Sequence, residues 1–170
     1  MSGRVLAVRL DSDGDVLLTG PALRSLAATA DRLDLLASPA GRAAGELLPD
    51  VDEVLVFDAP WSGYRPAPLD PAAVQELVAT LAARAYDRCV VFTSFHQSPL
   101  PMALLARMAG VGFVAATSVD YPGSLLDVRH RRPEGLHEVQ AALDLAAAAG
   151  GAAVEPRLAL REPLPRPAAT

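Results

Sequence analysis

Five short runs rich in Val, Leu, Ala and Phe recur along the chain, at Val5 to Leu10, Leu33 to Ala37, Glu53 to Phe57, Arg88 to Phe92 and Phe113 to Thr117. Several are nearly continuous rather than alternating, which is the pattern of strands buried on both faces of a parallel sheet. Between them lie segments with helical spacing, at Val16 to Ala30, Ala40 to Leu47, Pro71 to Ala85, Pro99 to Ala109 and Glu134 to Ala149. Asp70 before Pro71 is a helix start, an N-cap followed by proline in the first turn, and Gly110 and Gly150 are helix stops. Strand and helix in alternation predict an α/β fold, a Rossmann-like three-layer sandwich with a mainly parallel sheet.

With a strand order of 3-2-1-4-5, the order reverses between the first and fourth strands, and ligands bind outside their carboxyl ends. Two loops then share one crevice, Asp11 to Asp15 and Thr93 to Pro99. They are also the most polar turns in the chain. A length of 170 residues with 51% hydrophobic content makes one domain with a real core, and a second full domain does not fit. The domain is expected over residues 1–150. Residues 151–170 are rich in Pro, Arg and Ala without helical spacing, and read as a linker or tail leading towards a further domain.

Two long connections interrupt the alternation. Residues 58–69 are Pro-rich and carry Trp61 and Tyr64, either as a functional loop or as a cap on the edge of the core. Residues 118–135 contain the turn Asp120-Tyr121-Pro122-Gly123 and then the cluster Arg129-His130-Arg131-Arg132.

Charge and cysteine usage exclude several classes. The net charge of -5 and the scattered arginines leave no basic stripe to neutralise a run of phosphates, so nucleic acid is not an expected partner. The first fifteen residues lack a signal-peptide pattern, because Arg9 and then three acids break the apolar run. No uncharged stretch approaches the ~20 apolar residues of a membrane span, so a cytoplasmic protein is expected. Cys89 stands alone in an apolar run and reads as a buried structural thiol.

Asp11, Asp13 and Asp15 alternate as in a calcium loop, but Gly14 comes too early and Ala22 stands where the closing Glu belongs. Asp11-Ser12-Asp13-Gly14 also has the form of an aspartate-nucleophile phosphohydrolase turn. In that alternative Asp11 attacks phosphorus, Asp13 serves as acid and base, and magnesium bridges them. Asp15 replaces the expected Thr, however, and the chain has no lysine to neutralise a phosphoaspartate. Neither G-x-G-x-x-G, G-x-x-x-x-G-K nor G-x-S-x-G occurs. No cofactor and no metal site is expected.

The segment Val8-Arg9-Leu10, Ser12, Gly14-Asp15-Val16-Leu17-Leu18-Thr19, Pro21-Ala22-Leu23 and Leu26 resembles the amino-terminal signature of the family 9 glycosyltransferases, the heptosyltransferase-like group. His137-Glu138-Val139 is similar to that family's His-x-Val stretch before its linker, although Gln140-Ala141 stands where an Arg is usual. The resemblance implies the N-terminal, acceptor-side half of a two-domain GT-B fold. The other half would bind a nucleotide-sugar such as ADP-heptose, and this chain would hold no nucleotide site. The implied activity is inverting transfer of a sugar to a hydroxyl of a glycan or lipid-linked acceptor, leaving open a peripheral contact with the inner face of the membrane.

The resemblance assigns the general base to Asp15. Independently, inverting transfer needs a carboxylate that takes the acceptor proton, and Asp15 stands where a strand ends and a helix begins. The alternative is a simple helix N-cap. Asp13, at a position usually neutral in the family, and Gly14 are expected beside the acceptor. His96 and Gln97, on the facing loop, are further candidates for acceptor contacts. Arg129 and His130, with Arg131 and Arg132, are candidates for holding an acidic or phosphorylated acceptor, or else form a solvated charge run. His137 is expected to organise a helix start. A non-catalytic carbohydrate- or partner-binding module remains the third reading.

Overall fold

A computed structural model describes residues 3–166. Six strands, β1 (Arg4–Arg9), β2 (Arg32–Ala37), β3 (Glu53–Val56), β4 (Arg88–Phe92), β5 (Phe113–Thr117) and β6 (Val128–His130), form one sheet in the order β3-β2-β1-β4-β5-β6. Every neighbouring pair is parallel. The helices are α1 (Asp13–Ala27), α2 (Arg42–Glu46), α3 (Pro71–Arg84), α4 (Leu100–Met108) and α5 (Glu138–Ala148). The fold is thus the α/β Rossmann-like sandwich expected, with its order reversing between β1 and β4.

The sheet is buried on both faces, and residue alternation divides the core in two. Val5, Ala7, Leu33, Leu35, Val90 and Phe92 face α1, α2 and α5. Leu6, Val8, Leu36, Cys89, Val91 and Val114 face α3 and α4. Each strand therefore has to be apolar at successive positions, which accounts for the continuous runs in the sequence. Cys89 is fully enclosed, and burial pushes its thiol up to about 12.

Three elements differ from expectation. α1 begins at Asp13 rather than Val16, because Ser12 supplies the N-cap and draws the acidic residues into the first turn. α5 begins only at Glu138, capped by the His137 ring, since Gly135 adopts a left-handed φ of 75°. β6 arises within residues 118–135; its three residues pair with Ala115, Ala116 and Thr117 of β5. In residues 58–69, Trp61 packs against Phe57 with ring centroids 5.8 Å apart, while the Tyr64 side chain is fully exposed.

Residues 151–161 carry no helix and follow the domain surface. The Ser25 hydroxyl donates to Ala152 O at 2.6 Å, and Arg24 Nη2 donates to Arg157 O at 2.7 Å. Arg161 N–H donates to Leu47 O at 2.7 Å, and its guanidinium reaches Leu48 O and Val51 O, beyond the end of α2.

Near the amino edge of the sheet lies a buried ionic cluster. Asp34 is fully buried and accepts the Tyr86 hydroxyl at 2.6 Å, with Arg32 Nε 2.9 Å and Arg84 Nη1 3.5 Å away. Arg84 also grips Glu53 through two bonds of 2.6 and 2.8 Å, and this pairing holds the Glu53 carboxyl below its ordinary value. Burial, reinforced by the bond to Asp34, pushes the Tyr86 phenol well above its ordinary value. Asp34→Ala would leave the buried Tyr86 phenol without its acceptor and Arg32 and Arg84 with Glu53 alone, and is expected to lower the unfolding free energy by about 1–3 kcal/mol in a denaturant titration. The Cys89 thiol is expected to resist a disulfide reagent in the native protein and to react only on unfolding, as read by thiol release.

Candidate active site

The carboxyl end of β1 carries a charge into the core. Arg9, its last residue, is only 4% exposed and lies in register with Phe92 of β4. Its Nε is 2.7 Å from Asp11 Oδ2, a close charge contact that is not aligned as a hydrogen bond. Its Nη2 is 3.4 Å from Asp15 Oδ1 and donates to the Ser94 hydroxyl at 3.2 Å. One guanidinium thus joins the two loops expected to share the crevice, across the point where the strand order reverses.

The acids of this turn have separate environments. Asp11 is almost buried against Arg9, with 6% of its side chain exposed. Asp13 is exposed and accepts the Gly14 N–H at 2.8 Å. Asp15, the third residue of α1, is one-third exposed, and its Oδ2 accepts the Ser12 hydroxyl at 2.8 Å. Asp15 is not the N-cap; that place belongs to Ser12, whose oxygen faces the Asp15 N–H at 3.5 Å. Both first-turn acids stand at the positive end of the helix dipole. The backbone beneath is anchored from two sides, with Ser38 Oγ donating to Asp11 O and Ser62 Oγ to Leu10 O, each at 2.8 Å. At Gly41 a side chain would come within 2.8 Å of Val16 Cγ2 and 3.2 Å of Asp11 O, so glycine here permits α2 to start tight against the turn.

A cleft of about 830 Å³ opens along the carboxyl ends of β1, β4, β5 and β6. Arg9, Ser94, Thr117 and His130 line it in strand order, with residues 131–136 and one side of α5 as the wall. Asp15 is not part of this lining but contacts Arg9, which is. Gln97 lines the cleft and also acts as a strut: its Oε1 faces the Ser94 N–H and its Nε2 the Ser62 hydroxyl, both at 3.4 Å. His96 is exposed, edge-on to the exposed Phe95 ring at 4.8 Å, and outside the lining.

The Arg-His cluster divides into different tasks. Arg129 donates to Ser118 O at 3.1 Å and Val119 O at 2.7 Å, pinning the turn after β5. Arg132 is paired with Glu138 at 2.7 Å. Arg131 is exposed, lines the cleft and has no carboxylate partner among the described residues. His130 is 9% exposed, with Nδ1 2.6 Å from Thr117 Oγ1 and Nε2 2.7 Å from Asp144 Oδ2. A carboxylate only accepts, so Nε2 carries the hydrogen, and in the neutral ring Nδ1 accepts from the Thr117 hydroxyl.

Sequence reasoning overlooked three residues of this arrangement. Arg9 was visible as a cation ending an apolar strand beside two acids. Thr117 and Asp144 gave no comparable signal, since only the formation of β6 brings His130 between them.

No protein-family model matches the chain, and no curated protein matches it in sequence. Solved structures do. A glycosyl transferase family 9 protein from Veillonella parvula superposes with a TM-score of 0.68 and 16% identity, over 92% of this chain and 43% of its own. The E. coli heptosyltransferase WaaC with ADP gives a TM-score of 0.65 at 22% identity, over 88% and 48%. E. coli ADP-heptose LPS heptosyltransferase II gives 0.62 at 21% identity, over 84% and 40%. The chain therefore spans less than half the length of each. It has the fold of the family 9, heptosyltransferase-like glycosyltransferases, as one Rossmann-like unit of their GT-B architecture.

Proposed function

We propose that this chain is the acceptor-side half of an inverting glycosyltransferase with Asp15 as its general base. The observation that carries the reading is the Asp15 carboxyl held from two sides, by Ser12 and Arg9, at the edge of a large cleft where α/β sheets bind ligands. In this reaction an acceptor hydroxyl gives its proton to Asp15 as its oxygen bonds to the anomeric carbon. The bond from that carbon to the nucleotide diphosphate breaks on the opposite face, which inverts the configuration. Asp15 is then a neutral acid and returns the proton to water.

The donor is a nucleotide-sugar, ADP-heptose or a relative, bound by a second Rossmann-like half that residues 151–170 lead towards. The acceptor is a glycan or a lipid-linked sugar, taken up in the cleft that Gln97 and Arg131 line, with Arg131 rather than Arg129 available for an acidic group; Asp13, Gly14 and His96 lie outside that lining. A lipid-linked acceptor would bring the enzyme to the inner, cytoplasmic face of the membrane; no described helix is long and apolar enough to cross one.

The magnesium phosphohydrolase has less support. Its nucleophile would be Asp11, whose carboxylate is enclosed and already engaged by Arg9. Three acids that are equivalent in sequence thus become unequal once folded: Asp11 is enclosed, Asp13 is exposed, and Asp15, part-exposed and held by Ser12 and Arg9, is favoured as the base.

In the transferase assembled with its donor half, Asp15→Asn is expected to lower kcat about 10²–10⁴-fold, the span of general-base catalysis, with the fold unchanged by circular dichroism. A folded variant with wild-type turnover would remove Asp15 as the base, whereas no sugar transfer by the assembled wild-type protein would favour the non-catalytic binding module. The isolated 170-residue chain is expected to transfer no heptose from ADP-heptose, as checked by release of ADP.

A further inference from the structure

We propose that Arg9 is a positioning residue that acts through Asp15; the inference rests on the reading of Asp15 as base. A buried arginine is not needed to close this fold. The rest of β1 from Val5 to Val8 is apolar and fully enclosed, and burying a cation costs stability unless it is well paired. Arg9 nevertheless ends the central strand with 4% exposure, and its guanidinium reaches three groups from two loops.

The pairing is unequal in a way that favours orientation. Asp11 supplies the close countercharge at 2.7 Å, which keeps the guanidinium in place. Ser94 Oγ, at 3.2 Å, fixes its rotation from the far side of the strand reversal. The remaining contact, 3.4 Å to Asp15 Oδ1, is long enough for that oxygen to take part in another interaction. Ser12 holds Oδ2 at 2.8 Å. Asp15 is thereby restrained at both oxygens, and the loop after β4 is mechanically joined to the turn that carries it. A planar fork can serve three partners at once, whereas a lysine ammonium at the same place is a single point charge on a flexible stem.

The test is a set of variants in the transferase assembled with its donor half. Removing Arg9 alone strands Asp11 as a buried charge, so the informative change is Arg9→Met with Asp11→Asn, verified as folded by circular dichroism. Misplacement of a catalytic group by about 1 Å costs on the order of 10²-fold. The double change is therefore expected to lower kcat on the order of 10²-fold while KM shifts less than about threefold, and Arg9→Lys is expected to restore part of kcat. In an Asp15→Asn background the same double change should cost nothing further, because residues that act as a unit are not additive. An equal loss in both backgrounds, or a folded double variant with wild-type kcat, would overturn the inference. Absence of sugar transfer by the assembled wild-type protein would instead remove the proposed function on which it rests.

Discussion

The reversal of strand order between β1 and β4 is the constraint from which the site follows. β1 pairs with β2 on one side and β4 on the other, so the chain leaves the carboxyl end of β1 towards one face and that of β4 towards the other. Helices therefore diverge from this line, and no crossover covers the gap. The end of the central strand is still enclosed by its neighbours, and a cation there keeps little contact with water. Arg9 is stable at that depth only because acids from the following turn neutralise it. The acidic turn and the buried arginine are two halves of one electrostatic solution, and neither is intelligible without the other.

The opposite edge of the sheet solves a similar problem with a different result. Asp34 is as deep as Arg9, but its partners Tyr86, Arg32 and Arg84 close around it, and the second acid, Glu53, takes both arms of Arg84. At the carboxyl edge Asp15 keeps part of its surface, Arg131 has no described carboxylate partner, and Thr117 holds its hydroxyl at the cleft wall. Burying ions serves cohesion at one edge and leaves polar side chains presented at the other.

Most of the architecture was legible because both faces of the sheet are covered. Continuous apolar runs marked five strands, and Asp70-Pro71 marked the start of α3 to the residue. β6 was not legible: Val128, Arg129 and His130 have no strand pattern of their own and are ordered by pairing with β5. The beginning of α1 was misjudged because Asp13, Gly14 and Asp15 look like turn residues, whereas the Ser12 hydroxyl makes them a first helical turn. Topology alone placed a crevice at the carboxyl ends of β1 and β4, but the cleft is lined by Arg9, the loop after β4, β5, β6 and α5, and not by residues 11–15. What sequence could not supply was which polar side chains pair with one another there. Arg129 and Arg132 lie within two residues of Arg131 in the chain but are held by local partners.

The docked tail gives α1 a second attachment. Ser25 and Arg24, near the end of the helix, are tied to Ala152 and Arg157, and at Gly20 any larger residue would press on Leu48 and Leu158. Asp15 lies nine residues earlier than Arg24, about 14 Å away along the axis at the rise of an α-helix. α1 is in this sense a lever, clamped by the tail at one end and carrying the acidic tip at the other. Pro21 is the one residue between them that cannot donate a rung to the helical ladder. The tail therefore grips the same helix whose first turn carries Asp15, so its anchorage and the setting of the acidic turn share one rigid element.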